Sequence, residues 1–302
     1  MLDPMELVHV VDDVPELEGD HEELVLVHAL DGFLDAGSAG RLVADHLATD
    51  SRVIASFDLD QLYDYRGRRP PLTFSEDHYE DYAAPRLVVR LVKDDADTPF
   101  LLLTGPEPDY QWERFSEAMH ALLTRLGVTL TVGLGAVPMA LPHTRPLMLT
   151  AHSAQPEKLD SANVWKGNIR VPASAGALLE LRLGERGHEA MGYVAHVPHY
   201  VAQADYPQAA MDLIEAVARR TGLQLPTGPL AEAATARAAE IAVQVEGSED
   251  IAAAVKALEE QYDAFTRAAE SSLLAEDTPL PSAEELGAEF ERFLAGLDRR
   301  DE

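Results

Sequence analysis

Short apolar runs separated by helical patterns are the feature of this sequence that most limits its fold. Several of the runs are apolar at successive positions, as in strands that are covered on both faces. Strands that alternate with helices predict a mainly parallel sheet with helices on both sides, an α/β fold. The seven runs are Leu24–Leu30, Val53–Phe57, Leu87–Val92, Phe100–Thr104, Val128–Leu134, Leu147–Ala151 and Met191–Val197.

Polar and glycine residues mark the predicted ends of the helices. Asp109 can cap a helix that Gly127 ends, and Asp205 with Pro207 can open another that Gly222 ends. Ser38 and Ser174 each stand before a helical pattern with glycine close behind. Both serines are therefore predicted N-caps.

The composition changes at residues 225–230, LPTGPL, and this change predicts the domain boundary. Residues 1–225 carry the strand signals, whereas residues 226–302 are rich in Ala and Glu and have none. In this helical extension, Ser248 precedes an apolar stripe from Ile251 to Phe265, and Ser282 with Glu285 forms a capping box before a second stripe that reaches Leu297.

The charge balance excludes some classes of partner. The 302 residues include 53 acidic and 24 basic ones, a formal charge of −29, so we expect neither nucleic acid nor an anionic membrane as a partner.

There is no cysteine, which excludes disulfides and thiolate chemistry. The acidic N-terminus does not resemble a signal peptide, and we expect a cytoplasmic protein.

The glycine-bearing turn after the first predicted strand allows two ligand or catalytic interpretations. Gly32, Gly37 and Gly40 could let a helix N-terminus hold an anion, although the spacing is not a dinucleotide fingerprint and no P-loop lysine follows. Ser38 lies in a string close to the nucleophile elbow, but seven residues separate it from Leu30.

A structural interpretation of the same turn stays open beside these. In it Ser38 caps the helix, the glycines adopt positive φ, and Asp31 and Asp35 accept hydrogen bonds from loop amides. The turn would still line a crevice at the carboxyl end of a strand.

Two further polar segments are candidates. His196 and His199 flank Pro198, but residues three apart in extended chain face opposite ways, so no metal site is predicted, and Tyr200 follows them. His143 and Arg145 lie in a loop after another strand. Arg145 could hold a carboxylate or phosphate, or could simply pair with a surface acid.

Three strings in this order resemble the proteasome assembly chaperone 2 family in its bacterial branch. They are DGFLDAG at residues 31–37, ANVWKG at 162–167, and AHVPHY at 195–200 followed by DYP at 205–207. The resemblance covers residues 5 to about 225 and implies a three-layer α/β/α sandwich like that of nucleoside phosphorylases, with added C-terminal helices. It also implies a homo-oligomer, with a trimer favoured, and a protein partner such as proteasome subunits.

The family resemblance supplies no catalytic set, and we expect no cofactor. Some relatives carry a carboxylate–amine ligase label, but no ATP-binding pattern is present here. Chaperones that dock on proteasomes often end in a hydrophobic residue, a tyrosine and one more residue. This sequence ends Arg300-Asp301-Glu302, so docking by that route is not expected.

Two functions follow as hypotheses. The first is a non-enzymatic protein-binding or assembly factor. The alternative is an enzyme, such as a hydrolase, phosphorylase or ligase, that acts on a small polar substrate in a strand-end crevice. Both assume that the turn at 31–40 and the segment at 196–206 open on the same edge of the sheet. The expected pocket residues are Asp31, Gly32, Asp35, Gly37, Ser38, His143, Arg145, His196, His199 and Tyr200.

Overall fold

The computed structural model describes residues 3–11, 14–17, 23–159 and 168–274. This part of the chain contains ten strands and seven α-helices. The strands are β1 Val8–Val10, β2 Val25–Asp31, β3 Arg52–Phe57, β4 Thr73–Ser75, β5 His78–Glu80, β6 Val88–Lys93, β7 Pro99–Pro106, β8 Leu130–Met139, β9 Leu149–Ser153 and β10 Glu189–Pro198. The helices are α1 Ala39–Leu47, α2 Leu59–Leu62, α3 Trp112–Leu126, α4 Ala175–Glu185, α5 Pro207–Thr221, α6 Gly228–Glu246 and α7 Glu249–Leu274.

Eight strands form one sheet in the order β1-β3-β6-β7-β2-β8-β10-β9, and β4 with β5 forms a separate hairpin. The neighbours β7, β2, β8 and β10 are parallel, and antiparallel strands flank them on both sides. Because β3 lies two antiparallel steps from β7, five of the eight strands run in one direction. The predicted mainly parallel sheet is confirmed, within a mixed sheet.

Helices cover both faces of the sheet, which confirms the three-layer sandwich. Successive residues of a strand point to opposite faces, and β2 separates two cores in this way. Val25 and Val27 pack with α1 and α5 in one core, whereas Leu24 and Leu26 pack with α3 and α4 in the other. A strand that is buried on both sides needs apolar residues at successive positions, and β2 is buried from Val25 to Ala29.

The helical extension packs on the α5 side of the sandwich. Helix α6 contacts α5 and buries Leu230, Ala234 and Ile241. Helix α7 contacts α6 and buries Val255, but Ile251 and Phe265 of its predicted stripe are 45% and 44% exposed. Within the described part of the chain, no helix is both long enough and apolar enough to cross a bilayer.

Two sequence predictions fall outside the described residues. These are the string ANVWKG at residues 162–167 and the capping box at Ser282 and Glu285 with the stripe that follows it. The division of the chain into two domains at residue 225 also stays a prediction.

At Gly105 the backbone of β7 lies very close to the backbone of Arg86, and a substitution there tests this contact. This residue of β7 has φ 127°, and a Cβ there would lie 2.0 Å from the carbonyl oxygen of Arg86. We expect Gly105→Ala to lower the free energy of unfolding by about 3 kcal/mol or more, because both the backbone and the contact oppose a side chain.

The matched control is Gly135→Ala in β8, where a Cβ would meet nothing within 4 Å. We expect this change to alter the free energy of unfolding by less than about 1 kcal/mol. Urea unfolding followed by circular dichroism measures both variants. Equal losses would contradict the close approach at Gly105.

Candidate functional site

The turn at 31–40 and the segment at 196–206 meet at the carboxyl edge of the parallel strands. The Gly37 N–H donates a 2.8 Å hydrogen bond to the Ala202 carbonyl, and the Tyr206 N–H donates a 2.8 Å bond to the Gly37 carbonyl. Gly37 has φ 68°, and a Cβ there would lie 2.7 Å from the Tyr206 Cβ. Glycine is therefore required where the two connections touch.

Asp35, not Ser38, caps α1, so the predicted cap at Ser38 is wrong. The Asp35 carboxylate accepts hydrogen bonds from the N–H groups of Gly40 at 2.7 Å and Arg41 at 3.1 Å. Ser38 has left-handed backbone, φ 51°, and its side chain makes no capping hydrogen bond to α1. The Ser38 side chain instead bonds Asp205, whose pKa is lowered mainly by the hydrogen bond from Arg41.

This capping weakens both ligand interpretations of the turn. The N–H groups that an anion would need at the start of α1 already bind the Asp35 carboxylate. The Ser38 hydroxyl bonds a carboxylate and has no histidine partner among the described residues. Asp205, predicted to open α5, pairs with Arg41 at 2.6 Å instead, and Tyr206 occupies the N-cap position of α5.

Asp31 and Gly32 lie against Glu107, which follows β7. The Glu107 N–H donates a 2.8 Å bond to the Asp31 carbonyl, and a Cβ on Gly32 would lie 2.7 Å from Glu107 Oε2. The Glu107 carboxylate accepts a hydrogen bond from the Ala175 N–H at the start of α4, where the helix dipole favours a negative charge. Ser174 caps the same helix through the Ala177 N–H, as predicted.

The predicted helix cap at Asp109 is also wrong. Helix α3 begins at Trp112, and Gln111 occupies the N-cap position with φ 57°. The Asp109 carboxylate accepts bonds from the Asp64 N–H at 2.6 Å and from Arg68 at 2.7 Å. Asp109 thus anchors the long connection between α2 and β6 to the carboxyl edge.

The two histidines near position 200 have different surroundings. His196 is buried, its Nε2 lies 2.8 Å from the Thr150 hydroxyl, and burial lowers its pKa, so the ring is neutral at pH 7. The exposed His199 ring lies 5.4 Å from the Tyr200 ring. Among the described residues, no three His, Asp or Glu side chains are grouped to hold a metal ion.

Tyr200 joins the segment at 196–206 to the loop of His143. The His143 N–H donates a 2.7 Å hydrogen bond to the Tyr200 hydroxyl, and His143 Nδ1 lies 2.7 Å from the same oxygen. Burial lowers the pKa of His143 and raises the pKa of Tyr200. Both groups are therefore uncharged at pH 7.

Arg145 binds carboxylates, but they belong to α7. Its guanidinium holds Asp263 with two bonds of 2.8 Å and lies 3.3 Å from Glu259. The hydrogen bonds from Arg145 lower the pKa of Asp263. The Tyr262 hydroxyl donates a 2.9 Å bond to the Pro146 carbonyl, so α7 is fastened to this loop. Of the two interpretations of Arg145, pairing with an acid of its own chain describes the structure.

The loop at 143–149 also borders a cavity of about 550 Å³ between α5 and α6, which the sequence did not reveal. Asp212 lies in it, and the Gln208 amide donates a 2.6 Å hydrogen bond to its carboxylate. Burial raises the pKa of Asp212 to about 6. A single acidic residue in a helix gives no sequence signal, because its partial burial depends on how α5, α6 and the loop before β9 pack together.

The cap at Asp35 can be tested by substitution. We expect Asp35→Ala to lower the free energy of unfolding by about 1–2 kcal/mol, since two N–H groups of α1 lose their acceptor. Asp35→Asn keeps a capping oxygen and should recover most of that loss. Denaturant unfolding measures both variants, with Asp31→Ala as the control from the same turn. A loss in Asp35→Ala no larger than in Asp31→Ala would contradict the cap.

Several solved structures from actinobacteria are similar to this chain. A Mycobacterium tuberculosis protein of unknown function is 48% identical, with 87% of this chain and 92% of that chain covered and a TM-score of 0.82. A Corynebacterium glutamicum protein of unknown function is 37% identical, with 85% and 97% covered and a TM-score of 0.81. A proteasome-assembly chaperone homologue from M. tuberculosis is 25% identical, with 77% and 100% covered and a TM-score of 0.71.

The family assignment agrees with these structures and with the resemblance in the three sequence strings. No curated protein matches the chain. The model of the PAC2 family matches residues 29–245, which span the sandwich from β2 to the end of α6. This chain belongs to the PAC2 family.

Proposed function

We propose that this chain is a non-enzymatic protein-binding or assembly factor that docks a protein partner on the carboxyl edge of its sheet. The observation that supports this proposal is the concentration of exposed apolar side chains there. Of the fifteen large hydrophobic residues that are exposed in the described part of the chain, ten lie in connections that leave or reach this edge, although an ordinary surface scatters such residues singly. They are Phe33, Leu34, Leu72, Phe74, Tyr79, Tyr82, Tyr110, Ile169, Val171 and Tyr200.

The hairpin of β4 and β5 strengthens the proposal. Phe74 and Tyr79 form an aromatic pair with ring centroids 5.1 Å apart, yet they are 60% and 70% exposed. A two-stranded ribbon is only marginally stable alone in water. Aromatic side chains are also enriched at protein interfaces. This hairpin is therefore suited to packing against another protein chain.

An enzyme acting on a small polar substrate is the weaker proposal. The polar groups expected to form its pocket bond one another or the backbone: Asp35 caps α1, Ser38 bonds Asp205, and Arg145 binds Asp263. His196 bonds the Thr150 hydroxyl, but among the described residues no carboxylate orients this imidazole. A nucleophile, a base and an orienting group are not brought together by these residues.

We propose that this chain is cytoplasmic and that its partner is a proteasome subunit, which is the partner to test first. The reason is the M. tuberculosis relative that is named a proteasome-assembly chaperone homologue. Because this chain has a formal charge of −29, we expect it to associate fastest with a partner whose apolar contact surface has a basic rim.

The docking edge can be tested with the double variant Phe33→Ser/Leu34→Ser. These side chains are 76% and 47% exposed, so we expect the folded state to keep its stability within about 1 kcal/mol. If the edge docks a proteasome α subunit, the double variant should weaken the complex by roughly tenfold or more, because each apolar anchor contributes about 1.5–3 kcal/mol when buried. Sedimentation of the full chain with purified actinobacterial α subunits measures the affinity.

The matched control is Leu181→Ser in the second half of α4, which is 54% exposed and lies toward the start of β10, at the opposite edge of the sheet. It should bind α subunits as the wild type does. No complex with the wild type would refute the proteasome partner. Equal affinity of the double variant and the wild type would refute the docking edge.

We also propose that this chain forms a homo-oligomer, and a trimer is the state to test first. The mass of one chain is 32.9 kDa, and we expect light scattering after size exclusion to give about three times this value. If the hairpin contributes to the contact between copies, Phe74→Ser/Tyr79→Ser should lower the measured mass, with Leu181→Ser again as the control. A wild-type mass of one chain across micromolar concentrations would contradict the oligomer.

A further inference from the structure

The cavity between α5 and α6 combines a half-buried carboxyl group with apolar walls. We call it the α5–α6 cavity. Its volume of about 550 Å³ falls within the usual range for small-molecule sites. Leu147 and Leu149 form one apolar wall, and Ile241 with two alanines of α6 forms another. The exposed Glu215 and Arg219 side chains stand at the solvent side.

Asp212 has no cationic partner among the described residues. Its one hydrogen bond in this part of the chain comes from the neutral Gln208 amide. The nearest basic side chain of α5, Arg219, is 67% exposed and pairs with Glu215 at 3.9 Å. Burial is the main cause of the raised pKa of Asp212, the Glu215 charge adds to it, and Arg219 opposes it only weakly.

The other titratable groups that line the cavity do not compensate Asp212. His143 is neutral because burial lowers its pKa, and burial raises the pKa of Tyr206 to about 12. Arg145 is held by Asp263 and Glu259. Helix α6 contributes Ala234, Ala238 and Ile241 to the lining, and none of these carries a charge.

We propose that the α5–α6 cavity binds a small organic cation, a primary amine or guanidine with an apolar body. The cationic head would lie on the Asp212 carboxylate with Glu215 beside it, and the apolar body would pack on Leu147, Leu149 and Ile241. A cation supplies the charge that a half-buried carboxylate lacks, and the apolar walls bury the hydrocarbon part of the ligand. This inference is independent of the proposed protein docking, which uses other residues.

Three probes of similar shape separate charge from hydrophobicity: phenethylamine as the cation, 2-phenylethanol as the neutral isostere and phenylacetate as the anion. Calorimetric titration of the full chain at about pH 7.5 should show the amine binding roughly tenfold or more tightly than the other two, since only the cation pairs with Asp212. As the pH falls below about 6, Asp212 takes up a proton, so the affinity for the amine should fall between pH 7.5 and pH 5.

The variant for this test is Asp212→Asn, and the control is Asp45→Asn on the exposed side of α1. Asp212→Asn should lose roughly tenfold or more of the amine affinity, whereas Asp45→Asn should keep it. The asparagine variant should fold, because a raised folded-state pKa means that the ionised Asp212 destabilises the fold above about pH 6, and the amide removes that charge.

Several outcomes would overturn the proposal. They are no amine binding at millimolar concentration, equal binding of 2-phenylethanol, tighter binding of phenylacetate, and amine affinity that neither Asp212→Asn nor acid lowers. The pH series uses the wild-type chain, so a folding defect in the variant would leave the test decisive.

Discussion

The two hydrogen bonds between Gly37 and the segment at 202–206 are the contact on which the arrangement of the carboxyl edge depends. They join the connection after β2 to the connection after β10, although a further strand, β8, lies between these two strands in the sheet. Because α1 and α5 start directly after the joined connections, the same bonds set these helices side by side on one face. Helix α6 then packs on α5, so the position of the α5–α6 cavity follows from this contact.

Three arginines of this acidic chain form ion pairs around the carboxyl edge. Arg41 ties Asp205 to the start of α1, Arg68 ties Asp109 to the connection before β6, and Arg145 ties α7 to the loop before β9. Each of these pairs joins segments that are distant in sequence. Single exposed pairs contribute little stability. Their effect is on geometry, since a paired guanidinium fixes where a loop lies.

The sequence predicts the sheet better than it predicts the residues around the edge. All seven predicted strands occur, because a strand covered on both faces must be apolar at successive positions and this pattern is visible in one dimension. The three-residue β1 and the exposed hairpin of β4 and β5 were missed, since neither carries such a run. The placement of the two candidate segments at one edge also followed from strand direction alone.

The errors in the site come from contacts that no sequence pattern encodes. Ser38 and Asp109 have the residue types of helix caps, but whether a side chain reaches an amide depends on local φ, and Asp35 reaches α1 from further back. Ser174 has extended backbone and does cap α4, so the same signal succeeded where the conformation allowed it.

The helical extension contributes residues to the α5–α6 cavity and fastens a loop that borders it. Helix α6 forms one wall of the α5–α6 cavity, and α7 holds the opposite loop through Arg145 and the Tyr262 hydroxyl. Asp212 lines the same cavity as α6, and burial is the main cause of the raised pKa of its carboxyl group. The half-buried carboxyl group therefore lies where the extension packs on the sandwich. A chemical property of this chain thus arises at the junction of two segments that the composition separates.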